Sequence, residues 1–413
     1  MASTAKKLWN KDFILFMAGL ELSSIGRGLL RFIIPLYVLQ ETGSPVLMGT
    51  ILSISAIPFI VFLPIGGVTA DMFNKKNLLA LMNFAIAILI VAYLGVSNVL
   101  ALVPATVIFM LLLSTFESII TPSTDASIPC LVPTNDLIKA NSINWLFSML
   151  SEVGVPIVGG FILVRVGLMS GLLVGVAFCV LATAIKLMVK IPHTKKEPTG
   201  NLLSVIISDI KDGIYFVTKE NTKIGKILLI SLFAGFFILP IIQVVISVLV
   251  LTYLEMGEGT VGLIQGIVMF GASAGAMLPN MLGKQANITK ARPLLLTSCV
   301  AVILAGLGIM LSTNVILTLV VIAISFFSVM LFSIILTVIS VSYMGEKTPE
   351  HLLGKVVSLD YMLAWIGIIA GNFIIGFLLN YFIANPGVVL LLYGGIATVC
   401  ALFLGMEDEI KPK

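Results

Sequence analysis

The chain has 413 residues, of which 59% are hydrophobic and only 11% charged, with a formal net charge of +4. A soluble domain carries roughly 25% charged residues to solvate its surface, so this composition excludes a water-soluble globular protein and requires an outer surface that faces lipid. The small positive excess is spread over short polar segments, which leaves no basic patch for nucleic acid.

A helix needs roughly 20 predominantly apolar residues to cross a bilayer. Twelve segments qualify in chain order, at about 13–39, 46–70, 77–96, 100–128, 137–165, 169–189, 224–253, 260–282, 293–311, 315–343, 354–381 and 386–406. The first, after Lys11, is too long for the apolar core of a cleavable signal and no A-x-A site follows it. Between the sixth and seventh, Leu203, Ile206, Ile207, Ile210, Ile214 and Val217 recur at helical spacing against Asp209, Lys211, Asp212 and Lys219. That pattern predicts an amphipathic helix on the cytoplasmic membrane surface. It divides the chain into a six-span bundle at 1–192, a linker at 193–223 and a second six-span bundle at 224–413. Cys130, Cys179, Cys299 and Cys400 lie in or beside apolar runs without paired spacing, and His193 and His351 fall in predicted loops. Neither a disulfide framework nor a metal cluster is expected, and no cofactor.

The polar connections alternate in charge. Lys6, Lys7, Lys11, Lys75, Lys76, Lys139, Lys195, Lys196, Lys284, Lys290, Arg292, Lys347, Lys411 and Lys413 fall on one side, and the opposite loops, such as 41–44 and 255–258, carry no lysine. Arg165 is the basic residue near that second face. The positive-inside rule makes the lysine-rich side cytoplasmic. The expectation is a multi-pass protein of the plasma membrane (the inner membrane of a bacterial cell), with both termini in the cytoplasm.

The chain also matches itself at an offset of 216 residues. Tyr37 meets Tyr253, Gly43 meets Gly259, Gly67 meets Gly283 and Lys76 meets Arg292. Pro133, Leu137, Lys139 and Ser142 meet Pro349, Leu353, Lys355 and Ser358, and Gly160-Phe161 meets Gly376-Phe377. An even number of spans per repeat gives the halves one orientation. The predicted fold is therefore an all-α integral membrane protein of twelve transmembrane helices in two parallel six-helix bundles, the arrangement of the major facilitator superfamily.

Three stretches resemble that superfamily. Gly67-Val-Thr-Ala-Asp71-Met-Phe-Asn-Lys75-Lys76 is similar to its signature loop between spans two and three, with Met72 where a basic residue is usual and Asn74 where glycine is. The resemblance implies a cytoplasmic gate in which Gly67 lets helices approach, Asp71 caps or pairs across the gate, and Lys75 and Lys76 hold the cytoplasmic side, opposite Lys355. Thr121-Pro122, Pro129-Cys-Leu-Val-Pro133, Ala140-Asn141-Ser142 and Leu353-Gly354-Lys355-Val356-Val357-Ser358-Leu359 resemble the macrolide-efflux and enterobactin-exporter branch. Gly154-Val155-Pro156-Ile-Val-Gly159-Gly160 in span five resembles the antiporter motif, although packing through small residues accounts for the same glycines. Leu113 stands where drug antiporters usually carry an arginine. The resemblance implies a proton-coupled, multidrug-type efflux antiporter for amphiphilic compounds.

Ionisable residues inside spans are functional candidates by default. Span one carries Glu21, Arg27 and Arg31, span four Glu117, with Asp125 nearer the cytoplasm, and span five Glu152; Asp360 falls about one turn into span eleven. Arg27 and Glu152 lie at similar depth, which predicts an ion pair. Arg31, one turn from Arg27, would join it in attracting an anionic group. Glu117 has no basic residue near it in sequence and is expected to be a lone carboxyl that takes up and releases the coupling proton, with Glu21 the second choice. At the repeat offset Arg27 matches Gln243, and Gln243, Trp365 and Asn372 would line the cavity or hydrogen-bond between helices.

These residues lead to a proton-coupled exporter of small amphiphilic drugs or metabolites, acting as a monomer by alternating access. The alternatives are a specific organic-anion transporter using Arg27 and Arg31, and a non-transporting membrane receptor of the same fold. No nucleophile–base or metal constellation favours an enzyme.

Overall fold

In lipid every backbone N–H and C=O must find a partner within the protein, which restricts spanning segments to helices or closed barrels. The computed structural model, which describes residues 8–96, 102–192, 202–282 and 288–404, meets this demand with helices and no strand among those residues. In chain order the main ones are α1 (Lys11–Thr42), α2 (Pro45–Met72), α3 (Lys75–Val96), α4 (Leu102–Asp125), α5 (Leu137–Met188), α6 (Leu202–Tyr215), α7 (Thr222–Phe237), α8 (Glu258–Leu282), α9 (Ala291–Leu311), α10 (Val315–Lys347), α11 (Glu350–Tyr381) and α12 (Pro386–Leu404). Beyond Phe237, α7 continues through two π-helical turns, Ile241–Val245 and Leu249–Tyr253, to form one apolar run over Thr222–Tyr253.

Eleven helices among the described residues are long and apolar enough to cross a membrane. The fifth and sixth predicted segments follow each other directly in α5, a run of 52 residues made of two helices that meet at a kink. A straight helix of that length would be about 78 Å long, more than twice the ~30 Å hydrocarbon thickness. The run bends at Gly167, whose φ of 76° and ψ of 175° suit glycine and few other residues. His351, expected in a loop, lies in the first turn of α11, which begins at Glu350. Asp360 is thereby ten residues inside that helix rather than one turn from its start.

The chain falls into two compact units, Met1–Thr42 with Ile54–Gly200, and Gly43–Ser53 with Asn201–Lys413. In the first, α1 lies along α5, and α3 packs on α4 and α5. Small residues set these approaches. A Cβ at Gly28 would meet Val155 at 3.1 Å, and one at Gly159 would meet Phe32 at 2.8 Å. In the second unit α7 packs on α11, α8 on α10, and α9 on both α10 and α12. The amphipathic helix α6 belongs to this unit and docks on α11. Lys355 Nζ reaches Asp209 Oδ1 at 3.0 Å and Asp212 Oδ2 at 2.5 Å, and Gly213 sits against Leu359.

Candidate functional site

Arg27 lies midway along α1, where a charged group is expensive: about 2.5–3.5 kcal/mol at the bilayer centre on insertion scales. The fold offsets that cost from three sides. Its guanidinium Nε is 3.5 Å from Glu117 Oε1 on α4. Its terminal nitrogens donate to Asn83 Oδ1 on α3 and to Ser24 Oγ, both at 3.3 Å. Arg31, one turn further along the same face of α1, pairs with the other carboxylate oxygen of Glu117 and lies 5.1 Å from the centre of the Phe59 ring, within cation–π range. Arg27 and Glu117 side chains are 11% and 10% exposed, whereas Arg31 is 37% exposed. One carboxylate is thus shared by two guanidiniums, for a formal charge of +1. The three residues line a cavity of about 160 Å³ with Phe59, Ile120 and Thr121.

Two expectations are overturned here. Glu117 is not a lone carboxyl, because both arginines of span one are its partners. Arg27 does not pair with Glu152, which is exposed on α5 and has no ion pair among the described residues. Position along a helix fixes height, not the direction a side chain faces. Beside Arg27 the α5 residue that meets α1 is Val155, against Gly28, and further along α1 the Ser151 Oγ of α5 donates to Glu21 Oε2 at 2.8 Å. The other Glu21 oxygen is buried without a hydrogen-bond partner.

Lys186 was missed because it sits at the end of an apolar segment and reads as an interfacial residue. Its side chain is instead buried at 2% exposure, and Nζ donates to Ser23 Oγ of α1 at 3.0 Å. The only hint in the sequence is a lysine followed by more apolar residues, 187–189.

In the second unit, the Asn372 amide of α11 donates to Gln243 Oε1 at 2.8 Å. Asn372 is fully buried and Trp365 half-buried. Around the signature stretch, Lys75 is buried and Lys76 half-buried in the first turn of α3; the Asp71 side chain lies outside the described residues. The close helix approach is made by Gly66, not Gly67. A Cβ at Gly66 would collide with the Ser118 carbonyl oxygen of α4, while Gly67 has open space. In the antiporter-like stretch Pro156, Gly159 and Gly160 are buried, and Gly154 faces open space. Among the described residues no group of His, Cys, Asp and Glu is disposed to hold a metal.

The family model of the Major Facilitator Superfamily matches residues 16–372. The chain belongs to the major facilitator superfamily. Among curated relatives it is 23% identical over 236 residues to the uncharacterized MFS-type transporter YfiS of Bacillus subtilis (strain 168), covering 57% of this chain and 54% of that one. It is 24% identical over 238 residues to macrolide efflux protein A of Streptococcus pyogenes, covering 56% and 57%. The chain therefore spans little more than half the length of the curated relatives it matches. Solved structures with this fold include the nucleoside transporter NupG, with TM-score 0.73, 14% identity and 96% and 98% of the two chains covered. The D-xylose-proton symporter gives TM-score 0.73 at 17% identity, covering 95% and 96%. This superfamily protein is thus an all-helical, multi-pass membrane protein whose relatives and structural neighbours are transporters.

Proposed function

We propose that this protein is a secondary active transporter that exports small amphiphilic compounds in exchange for protons, by alternating access. The observation that carries the reading is the sharing of Glu117 by Arg27 and Arg31 on the wall of a cavity. Ionised, Glu117 holds both guanidiniums; with a proton on its carboxyl, the attraction on Arg31, the more exposed of the two, is lost. A proton and a polar substrate group then compete for one cluster, while Phe59 and Ile120 offer an apolar surface for the rest of an amphiphile. The likeness to a macrolide efflux protein supports export. Glu117 is the first proton carrier in this scheme and Glu21 the second. Gly67, Asp71, Lys75, Lys76 and Lys355 form the cytoplasmic gate, and the chain works as a monomer in the plasma membrane with both termini in the cytoplasm. Counting the two arms of α5 separately gives twelve crossings in two six-helix bundles.

A second reading rests on the charge. Two guanidiniums against one carboxylate favour an anionic substrate group, and such a group would bind together with the proton rather than against it. An inward proton gradient would then drive uptake of an organic anion.

Proteoliposomes holding the protein, given an imposed pH gradient and either a lipophilic cation or a lipophilic anion, separate the two. Export predicts accumulation of the cation against its gradient, with proton movement in the opposite direction. Glu117→Gln, which removes the titration and keeps the size, is expected to abolish accumulation while downhill exchange survives. Accumulation by Glu117→Gln equal to the parent's would remove Glu117 from the coupling step and leave Glu21 as the carrier.

A further inference from the structure

The second unit contains an enclosed cavity of about 20 Å³ where α7, α9, α10 and α11 converge. Its polar lining is one carboxyl and four hydroxyls: Asp360, Ser231, Ser333, Thr337 and Ser340. Ser333, Thr337 and Ser340 follow one another at helical spacing on α10, and Ser231 hydrogen-bonds the Asp360 side chain. Two of the oxygens, Asp360 Oδ1 and Ser340 Oγ, are buried without a hydrogen-bond partner, and Ser340 as a whole is 3% exposed. No Lys, Arg or His lines the space. Unpartnered buried oxygens are destabilising, so a cavity that holds two of them calls for an occupant.

We propose that this cavity is a sodium-ion site. Oxygen-only ligands suit a hard cation. One carboxylate neutralises one positive charge, so a monovalent ion leaves the site uncharged, whereas a divalent ion would leave an uncompensated charge in a low-dielectric region. The volume holds one body the size of a water molecule, which favours a dehydrated sodium ion over larger cations. The internal repeat supplies a control. At the 216-residue offset Thr121, Thr124 and Asn144 stand for Thr337, Ser340 and Asp360. Thr124 Oγ1 and Asn144 Oδ1 are likewise buried without partners. At the same offset Ser333 meets Glu117 and Ser231 meets Leu15. The first half thus has a neutral amide where Asp360 stands, and its one acid among these positions is held by Arg27 and Arg31, which leaves no free negative charge for a cation. This site does not depend on the export reading.

Thermal unfolding of the purified full-length protein, with sodium chloride replaced by potassium or choline chloride at constant ionic strength, tests the assignment. A saturable rise in Tm with sodium alone is expected, as for any ligand that binds only the folded state. Asp360→Asn, which copies the first-half residue, should abolish the rise while leaving the Tm in choline chloride near the parent's. Ser340→Ala should raise the half-saturating sodium concentration several-fold. An equal response to sodium and potassium, or a parental sodium response in Asp360→Asn, would overturn the site. So would a Tm that follows pH but ignores sodium, which would make Asp360 a proton carrier. Should Asp360→Asn fail to fold, binding of radioactive sodium to Ser340→Ala decides: weakened binding supports the site and unchanged binding sinks it.

Discussion

Arg27 and Glu117 face each other at 3.5 Å between α1 and α4, each about nine-tenths removed from solvent. Removing one member of such a pair leaves the other charge buried and uncompensated, at a cost of about 3–5 kcal/mol. Glu117→Ala should therefore lower the unfolding temperature sharply, and Glu117→Gln less, because its amide oxygen still accepts from a guanidinium. Glu152→Ala, at an exposed position with no ion pair among the described residues, should change stability by no more than about 0.5 kcal/mol. Unfolding in detergent, followed for all three variants, checks the order. A larger loss in Glu152→Ala than in Glu117→Ala would mean that Glu152 is the true partner of Arg27.

Lys186 gives a prediction of opposite sign. Its ammonium has Ser23 Oγ as its hydrogen-bond acceptor, and a buried charge so sparsely compensated contributes little to stability. Lys186→Met keeps the length of the side chain and removes the charge, so the folded yield and Tm should hold or rise. Ser23→Ala leaves the buried group without that acceptor and should cost about 1–3 kcal/mol. A marked loss in Lys186→Met would show that the lysine has a further anionic partner.

Gly66 and Gly67 are adjacent and should respond differently. A methyl at Gly66 is driven into the Ser118 carbonyl, with Pro122 at 2.9 Å behind it. Neither neighbour is the flexible end of a side chain, so α2 and α4 must separate, an overpacking cost of about 1–3 kcal/mol. Gly67→Ala meets nothing within 4 Å and should leave Tm unchanged. Thermal unfolding of the two variants side by side tests this, and equal losses would refute it.

Orientation can be read by chemistry from the two sides of the membrane. In a background without Cys130, Cys179, Cys299 and Cys400, cysteines placed at Ser44 and at the exposed Glu255 should react with an impermeant thiol reagent on intact cells. Cysteines at Asn74 and Glu346 should react only after permeabilisation. The reverse pattern would invert the topology.

The sequence by itself determined that this chain lives in a membrane, where its spans fall and that its halves repeat, because hydropathy and an in-register offset are properties of the chain read in one dimension. It also located the charged positions in α1, α4 and α5 and the signature stretch that marks the superfamily. Tertiary structure decided which of those charges meet. Arg27 and Glu152 share a depth, yet Arg27 turns to Glu117 because the direction a side chain faces depends on how each helix is rotated against its neighbours. The same rotation buries Lys186, gives the close approach to Gly66 rather than Gly67, and gathers Asp360 with hydroxyls from α7 and α10 that lie far apart in the chain. In so apolar a sequence many rotations bury similar area. The choice among them is made by small residues that admit a neighbouring backbone and by the few polar groups that must find partners where water is absent.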